Sequence, residues 1–167
     1  MDWFQDGSFY LLDTPGHAIG HTSALARTTI GGGKEPDTFI LIGDDVYHHA
    51  GELRPMEHLP LPDNLDHSMI GLQSLNSTEC LTSVYTSIRP QHSRVKPFYT
   101  SAAGGFNHDS REMSKTLEKA AELDGNHDSI FTIITHDNSL IGVVDFFPLT
   151  TNKWKAKGGP RKAVGGS

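Results

Sequence analysis

The chain has 167 residues, of which 36% are hydrophobic and 20% charged, a composition unlike that of a disordered chain and a length that fits one domain. Fourteen basic against twenty acidic residues give a net charge of −6, which argues against a partner bound through its phosphate backbone, so no nucleic-acid ligand is expected. The single cysteine, Cys80, rules out an intramolecular disulfide; no apolar run reaches the roughly 20 residues of a membrane span and no signal peptide opens the chain, so the expected setting is cytoplasmic, without a membrane.

In chain order, residues 8–13 (SFYLLD) read as a strand that ends in a Thr14-Pro15-Gly16 turn. Residues 21–30, rich in small and β-branched types, read as a second strand, and 31–36 as a Gly/Pro loop. Residues 38–43 (TFILIG) are almost wholly apolar, the pattern of a strand buried on both faces. Residues 51–67, rich in proline and leucine, read as irregular, and 77–88 as helix more than strand. A clear helix follows, capped by Asp109 or Ser110, with Met113, Leu117, Ala120, Ala121 and Leu123 on one face and a stop at Asp124-Gly125-Asn126. Residues 129–135 (SIFTIIT) form a last apolar strand that runs into His136-Asp137. From Lys153 onward the sequence is Lys/Gly-rich and reads as loose. One domain over 1–155 with a flexible tail over 156–167 is the expected organisation; there is no internal repeat.

Ten histidines in such a chain direct attention to metal binding. Three segments share one design, in which an apolar strand delivers a ligand-type side chain at its C-terminal end: His17 after LLDTPG, Asp44-Asp45 after FILIG, and His136 after FTIIT. Strand ends at a sheet edge are where α/β proteins place chemistry, and a set of imidazoles and carboxylates suits Zn²⁺ or a similar cation. Each piece alone has an ordinary reading as a solvated loop residue, a turn or a helix cap, and His48-His49 could be ligands, supports for ligands or a polar loop. A metal-free hydrolase would need a nucleophile beside a histidine. Cys80 has no local signature for this, and no G-x-S-x-G elbow occurs.

Thr14-Pro15-Gly16-His17 with Gly20-His21 resembles the T-P-G-H-x-x-G-H signature of the metallo-β-lactamase superfamily. Gly43-Asp44-Asp45 resembles its next element, where a carboxylate bridges two metals, and Ile133-Ile134-Thr135-His136-Asp137 resembles its last metal histidine. DGSFYLLDTPGHAIGH, DDVYHHAGELRP and VVDFFP look like a fungal, lactonase-like branch, and the resemblance covers residues 2–155. It implies an α/β (α+β) fold, part of an αββα sandwich. It also implies a hydrolase for small-molecule esters, lactones or thioesters that uses up to two zinc ions. By that resemblance His17 ligates the first metal, Asp45 bridges and His136 ligates the second. Asp44 competes for the bridging role, because Gly-Asp wording favours it whereas G-G-D-x-x-H-H wording favours Asp45. His21 would stand beside the site.

The family's H-x-H-x-D-H motif, which precedes T-P-G-H, is found nowhere in the sequence. The chain is therefore expected to be the C-terminal portion of such a protein, with two ligands per metal where catalytic zinc usually has three. Weak zinc binding, poor turnover and self-association through an exposed sheet edge are expected. The alternative is a non-catalytic remnant that binds metal weakly or pairs with another chain.

Overall fold

The computed structural model describes residues 1–63, 81–89, 91–100 and 106–158. The positions of Cys80 and of 64–67 and 77–80 in the segments above lie outside the described residues, as do residues 159–167 of the expected tail. Four strands, β1 (Phe9–Asp13), β2 (Thr22–Thr29), β3 (Thr38–Ile42) and β4 (Ile130–Ile133), form one mixed sheet in that order, with helices α1 (Leu81–Ile88) and α2 (Ser110–Gly125). β1 and β3 each pair antiparallel with β2, and β4 pairs parallel with β3 through Phe39↔Ile130 to Ile42↔Ile133. Two antiparallel steps restore direction, so β1, β3 and β4 all run the same way. Their C-terminal ends meet at one edge of the sheet, hereafter the rim. At the β1 side the chain continues as an outer rung: the Met1 amino group donates to Leu11 O, Leu11 N to Met1 O, and Trp3 N to Phe9 O.

α2 begins where the sequence says it should. Asp109 is extended, and its Oδ1 accepts from the Arg111 and Glu112 N–H groups at 2.9 and 3.0 Å, so two orphan donors of the first turn are satisfied. The buried stripe is Met113, Thr116, Leu117, Ala120 and Asp124, and the helix runs to Gly125, past the stop expected at Asp124. Ala121 is only half-buried. Two stripe positions are polar and so escaped an apolar count. Thr116 Oγ1 donates to Pro15 O at 2.7 Å, and Asp124 takes both Nε and Nη2 of Arg54 at 2.7 Å each. The stripe covers Val46, Tyr47, Leu53, Met56 and Ile134 on one face of the sheet.

The opposite face holds Ile40 and Phe131, paired in register, under Leu140, Val144 and Trp154. Trp154 is 3% exposed, stacks obliquely on Phe131 at 5.5 Å and donates from Nε1 to Thr28 Oγ1 at 3.0 Å. The tail is therefore anchored at Trp154, and the loose reading from Lys153 is corrected there: the one large apolar ring among lysines and glycines finds a slot beside β4. The expectation of a strand buried on both faces holds for Ile40 and Leu41 but not for Ile42, which is 41% exposed. Toward the rim this face is an open groove that includes Leu11, Ala24, Ile42 and Ile133. Among the described residues no helix is long and apolar enough to cross a membrane.

Candidate metal centre

The T-P-G turn is clamped onto the start of α2. Asp109 N donates to Gly16 O, and His108 N to His17 O, both at 2.9 Å. Gly16 has φ +126°, and a Cβ there would sit 2.3 Å from the Met113 backbone nitrogen. Only glycine lets the turn lie this close to the helix. The clamp aims His17 across the rim, where its Nε2 is 3.8 Å from Asp45 Oδ2, while Nδ1 faces Asn107 Oδ1 at 3.3 Å. β4 delivers His136 from the other side, with Nε2 3.1 Å from Asp45 Oδ1. Thus His17, Asp45 and His136, far apart in sequence, meet at one carboxylate.

The single 3₁₀ turn after β3 (Asp44–Val46) sorts its neighbours. Val46 and Tyr47 go into the core under α2. Burial, reinforced by the nearby charge of Asp124, pushes the Tyr47 hydroxyl well above the ordinary tyrosine range, so it stays protonated at neutral pH. His48 returns to the rim. Its ring lies 5.1 Å from that of His17 and stacks on His136 at 5.7 Å, and Asp45, His48 and His136 each offer a ligand atom within 4.8 Å of the others. His49 turns away to accept from Gly51 N at 2.9 Å and to pack on Tyr99. The adjacent pair left open by the sequence is thus divided, with His48 at the rim and His49 structural. The turn ends at Val46 and Tyr47 is extended, so successive side chains alternate and His48 comes out opposite the buried Tyr47.

Asp44 and His21 sit one step along the rim. Asp44 adopts φ +50°, and its Oδ1 accepts from Thr135 Oγ1 at 3.0 Å. His21 Nε2 lies 3.6 Å from Asp44 Oδ2. Both Asp45 Oδ1 and His21 Nε2 are inaccessible and make no hydrogen bond. Buried polar atoms normally have partners, and ligand-type atoms without a hydrogen bond in a cluster of imidazoles and carboxylates fit the donor set of a cation. The donor set fits a divalent cation of intermediate softness.

No family model matches the chain, and no solved structure matches it either. Among curated proteins it is 41% identical over 160 residues to a gamma-lactamase of Fusarium pseudograminearum, 42% over 156 to a metallo-hydrolase of Annulohypoxylon moriforme, and 42% over 158 to a cytochrome P450 monooxygenase of Penicillium roqueforti. These alignments take in 94%, 93% and 95% of the chain but 36%, 38% and 15% of the relatives, so the chain spans well under half the length of these three proteins. Such similarity across nearly the whole chain agrees with the motif order on the rim, and together they support a metallo-β-lactamase-like chain that carries the elements of that superfamily from T-P-G-H onward.

Proposed function

We propose that this chain forms part of a metal-dependent hydrolase for small carbonyl substrates: an ester, lactone or thioester, with a lactam added by the name of the Fusarium relative. One observation carries the reading, the convergence of Asp45, His48 and His136 with His17 on the rim. Asp45 would bridge, with His17 on one side and His136 and His48 on the other. When bound, zinc lowers the pKa of water and polarises a carbonyl. The chain's own contribution is positional. The Gly16 clamp fixes His17, the turn after β3 fixes Asp45 and His48, and β4 fixes His136. In the proposed fold, 1–155 are part of an αββα sandwich, and the open groove at Leu11, Ala24, Ile42 and Ile133 faces the second sheet; 156–167 would be a tail and the setting cytoplasmic.

A second reading, metal binding without turnover, is favoured by the ligand count, because the sequence lacks H-x-H-x-D-H and its histidines. Zinc titration together with ester, lactone and lactam assays separates the two. Under either reading Asp45→Asn and His136→Ala each weaken zinc binding at least about tenfold, while exposed His92→Ala leaves it unchanged. Unchanged affinity in both rim variants refutes a metal centre at this rim. Zinc bound with no turnover in any of the ester, lactone and lactam assays leaves the second reading.

A further inference from the structure

We infer that His21 and Asp44 form a second cation position on the rim, separate from Asp45, His48 and His136 and beyond the centre proposed above. The argument starts from the tautomer of His21. Its Nδ1 lies 3.0 Å from Thr14 O, a carbonyl oxygen that can only accept, so Nδ1 carries a proton and, in the neutral ring, Nε2 keeps its lone pair. A second contact supports the same assignment. His21 Nδ1 also meets Thr14 Oγ1 at 2.9 Å, Thr14 Oγ1 meets Ser23 Oγ at 3.1 Å, and Ser23 Oγ donates to Gly43 O at 3.1 Å. That relay ends on a carbonyl, so its hydrogens point away from His21, and it ties the ring to the residue just before Asp44.

In the neutral ring Nε2 is therefore a bare acceptor. The His21 side chain is only 7% exposed, and Nε2 itself is shut off from solvent without a hydrogen bond. What it faces is another acceptor, Asp44 Oδ2 at 3.6 Å. With His21 neutral these are two acceptors face to face, a pair that a cation between them would satisfy. The separation is too long for a direct hydrogen bond. It matches a shared ion: metal bonds of about 2.1 Å to nitrogen and oxygen at a tetrahedral angle place the two atoms about 3.4 Å apart. A backbone carbonyl on the far nitrogen is also the usual support of a metal-binding imidazole. Asp44 is held for this task. Its Oδ1 is occupied by Thr135, its backbone is in the left-handed region that disfavours aspartate less than most residues, and its side chain is 55% exposed, so water can fill the remaining positions around an ion.

The chemistry suits Zn²⁺ or Co²⁺, bound more weakly than at the three-ligand cluster because only two protein groups contribute. The test is made on the full chain with Asp45→Asn and His136→Ala combined, so that the main centre is disabled. Equilibrium dialysis against Co²⁺ or Zn²⁺ is expected to show residual binding of one ion, weakened at least about tenfold by adding either His21→Ala or Asp44→Asn. Asp44→Asn leaves every hydrogen bond of His21 in place, so its effect cannot be ascribed to misfolding of the Thr14 loop. Long-range ¹H–¹⁵N spectra give a readout independent of affinity: His21 is expected as the Nδ1-protonated tautomer, with the Nε2 resonance shifting on addition of Zn²⁺. Residual binding indifferent to His21 and Asp44, no residual binding at all, or a doubly protonated His21 ring unmoved by Zn²⁺ would each overturn the inference. Metal bound by the unsubstituted chain but not by the disabled one defeats this position alone. No binding by either defeats the proposed centre as well.

Discussion

On the face under α2, Met113, Leu117 and Ala120 close over Val46, Tyr47 and Ile134, and even the polar members of the stripe are paired. On the opposite face of the same strands, Trp154, Leu140 and Val144 close over Ile40 and Phe131 but stop short of the rim, where Ile42 stays exposed beside Leu11, Ala24 and Ile133. The ligand-bearing rim lies where the two faces meet. The lesson is that a strand's apolarity says it wants cover on both sides, while only the tertiary partners say how far the cover extends. The finished face fixes the site, since the α2 clamp sets His17 and the turn beneath α2 sets Asp45 and His48. The unfinished face is free to receive something else.

The sharpest way to break the finished face is Asp124→Ala. It leaves the Arg54 guanidinium beside α2 without its bidentate partner, and removing one member of such a pair costs about 3–5 kcal/mol. A urea midpoint unchanged by this substitution would mean that the pair contributes nothing. Replacing both residues, Arg54→Met with Asp124→Leu, should recover much of the loss, because no buried charge is then stranded.

On the other face Trp154→Ala should cost about 3 kcal/mol, at the low end for a buried aromatic. Loss of near-ultraviolet ellipticity should accompany it. A neutral result would restore the loose reading of everything from Lys153 onward. The same face contains an internal comparison. Ile40 and Ile42 point the same way two residues apart, one buried and one exposed. Ile40→Ala should cost about 2–4 kcal/mol and Ile42→Ala less than about 1. Equal costs would show that the groove is covered in solution.

Much of this could be read before any coordinates. The four strands, α2 and its Asp109 cap follow from local pattern, and the common rim follows from ligand types at three strand ends. What escaped depends on contacts far along the chain. Thr116 and Asp124 look like solvent-facing positions until Pro15 and Arg54 are brought to them. His48 and His49 are indistinguishable as a dipeptide, and only the turn Asp44–Val46 decides which reaches the rim. Trp154 sits in a segment whose composition argues for disorder, and one ring outweighs the lysines and glycines around it. Ile42 reads as buried in the sequence because a one-dimensional pattern carries no information about where a covering layer ends.

The smallest expected effect concerns the start of α2, where the finished face joins the rim. The Glu112 N–H hydrogen bond, followed by that of Arg111 and opposed by slight burial, holds the Asp109 carboxyl below the ordinary aspartate range. A folded-state value below the unfolded one means that the charged form is favoured by folding. Its contribution is therefore fully present above the unfolded value of about 3.9 and is lost as pH falls through the folded value. Asp109→Asn keeps an acceptor for the same two N–H groups and removes only the charge. The two proteins should thus differ slightly and constantly in urea midpoint from about pH 5 upward, and the gap should close as the medium is acidified below about pH 4. A gap that widens on acidification would reverse the sign of the linkage and remove the cap's charge from the account of how α2 holds the Gly16 turn.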